Sequence, residues 1–307
     1  MAFAPRPLYD WKLRTRALAL GRRTFIMGIL NVTPDSFSDG GHFFTPEQAP
    51  QRALDHAITM LDQGADLIDL GGESTRPGST RLSPDEEQSR VLPVLSAILQ
   101  ERPSTIISID TFHASTAGYA IDAGAEVVND VSGHLWDAAM SSTCARFACG
   151  AVLMHARGTP SEWRSLPPLA DNEVVPLILT ELHARVGAAE ASGILRDRIV
   201  IDPGFGFGKR LEENYPILAG LGAFHRLRLP IMAGVSRKSF LARTLSQTPS
   251  LTAIYRGTTP PANARINATT AANVAAIFAG AHILRVHDVQ AAVEAAAITD
   301  RLLRDRQ

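Results

Sequence analysis

Asp110, Asn129 and Asp202 each follow a short apolar run and carry a carboxylate or an amide. An ionised carboxylate accepts two hydrogen bonds side by side, so this set suits a planar, nitrogen-rich ring that donates from an amino-pyrimidine edge. Arg76, Lys238, Arg285 and His287 form a second group, cationic and suited to phosphate oxygens. The run from Ser236 to Ser239 opens a helical pattern, whose free N–H groups favour an anion. One pocket with a heterocycle end and an anion end is the economical reading. A further feature is "IMGILNVTPDSFSDGG", Ile26 to Gly41. It changes from a buried strand to a glycine-rich loop that bears Asn31, Thr33, Asp35, Ser36, Ser38 and Asp39. The stretch "GFGFGKR", Gly204 to Arg210, has neither the Walker A spacing nor GxGxxG, and its small residues suit close approach to a flat ligand.

These residues need elements to hold them, and one punctuation mark recurs. A helical pattern ends at glycine and a short β-branched run follows, at Gly64, Gly124, Gly150, Gly193 and Gly280. Glycine past a helix takes the left-handed C-cap without a Cβ penalty, and the apolar run reads as a parallel strand covered on both faces. "TPEQ" from Thr45 and "SPDE" from Ser83 each place a hydroxyl at N-cap, proline at N1 and Gln or Glu at N3. Counting between these marks predicts eight strands, near 25–30, 66–70, 105–109, 126–129, 151–154, 198–201, 229–233 and 282–286. Helical patterns over 46–63, 84–100, 113–123, 172–191 and 288–304 separate most of them.

Eight alternating units predict a (β/α)8 TIM barrel, with a doubly wound sheet as the alternative. "RALALGRRTFIM" reads as two short strands around Gly21, an N-terminal β-hairpin plugging the barrel's N-terminal end. Residues 247–263 read as a surface insertion in the seventh βα unit. With no linker in view, residues 1–307 are expected to be one domain, 1–22 being an N-terminal extension and hairpin strand. In such barrels functional groups gather at the C-terminal ends of the strands. Asn31, Glu73, Asp110, Asn129, His155, Asp202, Ser236, Arg285 and His287 all fall there.

Composition limits the function class. A chain of 307 residues, 45% hydrophobic and 20% charged, buries a full core, and a net charge of -1 gives no electrostatic argument for nucleic acid or an anionic membrane. Cys144 and Cys149 are too few for a disulfide framework and are read as reduced, helix-borne residues. No signal-peptide pattern or membrane-length apolar run is found, which makes the cytoplasm the expected location.

"MGILNVTPDSFSDGG", "DLGGESTRPGS", "SIDT", "VVNDVSG", "IDPGFGFGK", "GVSRKSFL" and "RVHDV" occur in the order found in dihydropteroate synthases. The chain resembles that family from about Arg23 to its last helix. The resemblance implies a (β/α)8 pterin-binding barrel that joins 6-hydroxymethyl-7,8-dihydropterin diphosphate to 4-aminobenzoate for folate synthesis. It implies that Asp110, Asn129, Asp202 and Lys238 hold the pterin, and that Thr75, Arg76, Arg285 and His287 face the diphosphate. Met154 is expected to pack against the pterin, and His155 to be structural. By resemblance Asn31 contacts Mg2+, and Ser239 with its helix N-terminus takes the aminobenzoate carboxylate, with Phe207 and Pro77 along its ring. Asn31, Arg76, Lys238 and Arg285 are the expected catalytic residues, and a homodimer is the expected assembly.

Diphosphate leaves readily once Mg2+ and Arg285 neutralise its charge, so an SN1-like displacement is expected, with no general base or covalent nucleophile. Blander readings stay open residue by residue. Asn31 and Asp202 could be turn residues, Arg285 could pair with Asp288, and His287 could be a satisfied structural histidine. A methyltetrahydrofolate–corrinoid methyltransferase shares the barrel but would not need the "STRPG" loop, the lysine of "SRKS" or the Arg-x-His pair. Residues 156–170, "ARGTPSEWRSLPPLA", depart from the family pattern.

Overall fold

The computed structural model describes residues 6–33, 49–73, 81–255 and 258–304. Thr75, Arg76, Pro77, the "TPEQ" motif and the loop from Pro34 to Gly41 lie outside them. Eight strands form one parallel sheet: β3 (Phe25–Asn31), β4 (Leu67–Gly71), β5 (Ile106–Asp110), β6 (Val127–Asp130), β7 (Gly150–Met154), β8 (Ile199–Asp202), β9 (Met232–Ala233) and β10 (Ile283–Val286). Their order is β8-β7-β6-β5-β4-β3-β10-β9. A parallel bridge between Ile201 and Ile231 closes the ring, with the Ile201 N–H donating to the Pro230 carbonyl at 3.0 Å. Closure decides for the barrel over the doubly wound sheet. β9 is short beside Pro230, which has no N–H to give a ladder.

Helices α1 (Ala49–Asp62), α2 (Pro84–Glu101), α3 (Ala114–Asp122), α5 (Asp171–Ala191) and α10 (Val289–Arg304) follow the expected patterns. Helix α2 begins with the expected capping box between Ser83 and Glu86. Helix α4 (Met140–Phe147) is short and carried no capping motif to announce it; Cys144 lies on it, while Cys149 lies just past it. Both cysteines are free and buried. After α6 (Asn214–Ala219) and α7 (Ser239–Gln247) the segment read as an insertion carries a helix of its own, α8 (Pro249–Tyr255), and a 3-10 turn at Ala262–Arg265 before α9 (Ile266–Phe278).

The hairpin is present but not where the sequence suggested. It pairs β1 (Tyr9–Lys12) with β2 (Ala17–Leu20) and turns between them; Gly21 follows β2, and the run after it is the first barrel strand. Trp11, Leu13 and Leu20 pack against Phe25, Met27, Leu67, Ile106, Val127, Val152, Val200, Met232 and Ile283, the lowest inward residues of the strands. This plugs the N-terminal end. Gly150 belongs to the plug and is not a helix cap: Ala148 takes the left-handed cap position at φ 50. A Cβ on Gly150 would meet Leu13 at 3.0 Å and Trp11 at 3.2 Å.

Candidate active site

Successive residues of a strand face opposite sides, so residues two apart share the barrel interior. Two residues above the apolar plug layer, the inward face carries Ile29, Asp69, Ser108, Asn129, Met154, Asp202, Gly234 and Arg285. The strand register puts Met154 beside Asp202, and Asp110 beside Asn129. The barrel therefore changes from wholly apolar to charged within one step of its own alternation.

These groups are tied together. Arg285 donates from Nε to Asp69 Oδ2 and from Nη2 to Asp110 Oδ2, both at 2.5 Å. Asn129 donates from Nδ2 to the same Asp69 oxygen at 2.9 Å. That bond commits the amide nitrogen and leaves Oδ1 as the Asn129 acceptor available to a ligand. Asp69 Oδ1 is buried and has no partner among the described residues. Asp202 accepts the Gly204 N–H at Oδ1, 2.7 Å, and its Oδ2 lies 3.7 Å from where a Cβ on Gly234 would stand. Lys238 holds its Nζ 4.1 Å from the centre of the Phe207 ring. Asn129, Val131, Met154, Asp202, Phe207 and Lys238 are among the residues lining one cavity, together with Arg285.

Burial shapes the charges. It pushes the Asp202 carboxyl up, opposed by the Gly204 N–H and by Lys238, Lys209 and Arg285. It also pushes Asp110 up, with Arg285 pulling the other way. Burial works against the Arg285 guanidinium too, but Asp69 and Asp110 outweigh it and hold the group charged. The Lys238 ammonium is brought down to about 8 by burial and by neighbouring Arg285. The cavity thus offers carboxylate and amide acceptors beside two cationic donors, as the recognition of a polar heterocycle requires.

At the rim, Ser236 Oγ lies 3.0 Å from His287 Nδ1 and accepts the His287 N–H at 3.2 Å. The partner of Asp288 is Arg237, at 2.9 and 2.5 Å, and not Arg285. Helix α7 begins at Ser239 with Lys238 at N-cap and no side-chain cap. Asn31 ends β3, its Oδ1 3.6 Å from where a Cβ on Gly71 would stand, with Asp110 beside the same point. Among the described residues no three His, Cys, Asp or Glu side chains cluster as a metal site. Asn31 offers one carboxamide oxygen. That suits an ion such as Mg2+, which keeps several waters and substrate oxygens around a single protein ligand.

The chain matches the family described as pterin binding enzyme over residues 27–287. It belongs to that family. The dihydropteroate synthase of Synechocystis sp. is 38% identical over 297 residues, covering 97% of this chain and 93% of that protein. A Xanthomonas albilineans dihydropteroate synthase solved with 4-aminobenzoic acid superposes with a TM-score of 0.82 at 36% identity, covering 97% of this chain and 98% of that one. A Clostridium difficile dihydropteroate synthase solved in the presence of pteroic acid gives 0.78 at 39% identity, over 92% and 98%.

Beneath this cavity lies a layer that sequence reading missed. Arg185, on α5, donates to the carbonyls of Met154 at 2.7 Å and Ala156 at 2.8 Å. Lys209 donates to those of His155, Pro203 and Gly204 at 2.6, 2.9 and 2.8 Å. Two buried cations therefore fix the backbone that carries Met154 and Asp202. Gly204 is required there, since a Cβ would stand 1.9 Å from the His155 carbonyl oxygen. His155 is buried, with Nε2 2.9 Å from Glu181, and burial first and then Lys209 bring its pKa down to about 3. It is a neutral, structural histidine. Asp69 was missed as well, although the two-residue period of "DLGG" places it on the inward face with Gly71.

Proposed function

We propose that the chain is a dihydropteroate synthase, condensing 6-hydroxymethyl-7,8-dihydropterin diphosphate with 4-aminobenzoate to give 7,8-dihydropteroate and diphosphate. The observation that carries this reading is the hydrogen-bonded set in which Asp69 and Arg285 hold Asn129 and Asp110 beside Asp202 and Lys238. Kinship supplies the reaction; the cavity supplies the fit.

In this reading the free Asp202 oxygen and Asn129 Oδ1 accept from the amino-pyrimidine edge, Lys238 donates to the ring, and Met154 packs on its face. Arg285 is the largest revision to the sequence-based roles. Gripped by Asp69 and Asp110, it sits in the wall of the heterocycle cavity, so it spans the two ends of the pocket and does not belong to the anion end alone. His287 faces the diphosphate together with Thr75 and Arg76, which lie outside the described residues. Ser239 and the uncapped start of α7 take the aminobenzoate carboxylate, with Phe207 along its ring.

Mg2+, when bound at Asn31, supplies positive charge to the leaving diphosphate. The methylene C–O bond breaks with its electron pair going to diphosphate, and the electron-rich ring stabilises the cation left behind. The aromatic amine then forms the C–N bond and its proton passes to solvent. This SN1-like course needs positioning and water exclusion more than a strong base.

Among the described residues no helix is long and apolar enough to cross a membrane. A cytoplasmic homodimer is our proposal for setting and assembly; the reduced, buried cysteines fit the first, and exposed Ile298 and Leu302 on α10 offer apolar surface for the second. The test is diphosphate release with and without 4-aminobenzoate. Release that depends on 4-aminobenzoate supports the synthase, whereas methyl transfer from a methylated folate to a corrinoid without diphosphate chemistry would establish the alternative.

A further inference from the structure

Residues 156–170 carry the part of the chain that departs from the family pattern, and the structure shows what they touch. The segment is fastened along its length to the loop after β8. The Arg157 N–H donates to the Phe207 carbonyl at 3.2 Å, Arg210 to the Leu166 carbonyl at 3.0 Å, and the Leu169 N–H to Glu213 at 2.8 Å. Glu162 accepts from the Thr159 N–H and hydroxyl, each at 2.7 Å, and its own carbonyl accepts from the Ser165 and Leu166 N–H groups. This compact turn presents Trp163.

The Trp163 ring meets Phe207 edge to face, with centroids 5.6 Å apart and planes at 89°. Phe207 is the same ring that covers Lys238 Nζ. The indole Nε1 is buried and has no partner among the described residues. A buried, unpartnered donor costs stability, so this tryptophan is not there for its N–H; its ring contact is what the site uses.

We infer that Trp163 is a positioning residue of the pterin cavity, fixing the Phe207 ring over the Lys238 ammonium and keeping water from that wall. This rests on the proposed function only for the identity of the ligand; the geometry concerns the protein alone. Lys238 faces Asp202 from β8, Asp110 from β5 and Arg285 from β10, with Lys209 on the segment after β8. None of these charges belongs to the 156–170 segment. An effect of residue 163 on Lys238 must therefore travel through packing and water.

The sequence allows a direct reading. Lys12, Lys209 and Lys238 are its three lysines, so 13C labelling at the lysine ε carbon gives three signals, one of them removable with Lys12→Arg. In the wild-type protein the Lys238 signal should titrate near pH 8. In Trp163→Ala, added water around the already half-buried Lys238 should raise that midpoint by about one unit or more toward the ordinary lysine value. Trp163→Phe, which keeps an aromatic edge, should restore it. In steady-state assays Trp163→Ala should raise the KM for the pterin substrate several-fold, with kcat changed less. A folded Trp163→Ala protein whose Lys238 midpoint stays at the wild-type value would overturn the inference. If that variant does not fold, Phe207→Leu must move the midpoint in the same direction, and an unmoved midpoint there overturns it equally. Failure of the wild-type protein to release diphosphate would remove the proposed function and leave the titration result standing.

Discussion

The lower and upper halves of the barrel interior are built from the same strands, two residues apart. The lower half is Phe25, Met27, Leu67, Val127, Val200 and their neighbours, closed by Trp11, Leu13 and Leu20. The upper half carries Asp69, Asn129 and Asp202, which are equally buried, and the partly buried Arg285. Apolar burial returns roughly 25 cal/mol per Å² of surface removed from water. Buried charges repay their desolvation only through good geometry and full pairing. Among the described residues Asp69 Oδ1 has no partner, so the groups they supply do not fully pair the upper half. The lower half is a device for stability. In the proposed reading the upper half trades some of that stability for recognition.

The largest expected effect breaks the comparison from below. Trp11 is fully buried and donates its indole N–H to the Arg198 carbonyl at 2.9 Å. Trp11→Ala should cost about 3–5 kcal/mol of stability. The surviving folded protein should bind the pterin as the wild type does. Urea unfolding and ligand titration on the same preparation check both halves, and lost pterin affinity in folded protein would mean that the two layers are not independent.

From above, Asp202→Ala should do the reverse. Removing one partner of a buried, hydrogen-bonded charge pair costs about 2–5 kcal/mol of binding. The fold should persist, because Asp202 lies in the layer that does not hold the barrel together. Isothermal titration with 6-hydroxymethyl-7,8-dihydropterin reads the loss; an unchanged affinity refutes the role given to Asp202.

Glu87 sharpens the contrast from outside the barrel. On α2, it is buried, accepts the Thr111 hydroxyl at 2.7 Å and packs under Gly72. Burial pushes its carboxyl up to about 7, with the Thr111 bond opposing. A folded-state value above the ordinary one means that the native protein holds the proton more tightly than the unfolded chain. The stabilisation is full below the ordinary glutamate range and is lost as pH rises through about 7. Unfolding free energy should therefore fall between pH 5 and pH 8, by up to about 3 kcal/mol. Glu87→Gln should flatten that slope, and an identical slope in the variant would place the titration elsewhere.

The two halves were not equally legible in the sequence. Glycine punctuation and β-branched runs gave all eight strands, because parallel strands covered on both faces are continuous apolar segments. Strand ends also pointed to Asp110, Asn129, Asp202 and Arg285, and the cationic group to Lys238, all of which the fold brings together. Asp69 escaped because it lies inside its strand, two residues before the turn, where only the inward alternation marks it. Arg185 and Lys209 escaped for a different reason: their partners are backbone carbonyls, which have no sequence signature. The hairpin was sensed but placed one strand late, since "ALAL" and "TFIM" have the same apolar character on either side of Gly21. Pairing partners of surface charges were not legible either, and Asp288 went to Arg237.

In the proposed function the charged upper layer recognises the pterin ring. A crystal structure of the protein with 6-hydroxymethyl-7,8-dihydropterin tests it most directly. The ring should lie in the cavity between Met154 and Phe207, with the free Asp202 oxygen and Asn129 Oδ1 accepting from its nitrogen edge and Lys238 donating to it. A ring bound elsewhere, or one in this cavity that leaves Asp202 bonded only to the Gly204 N–H, would contradict it.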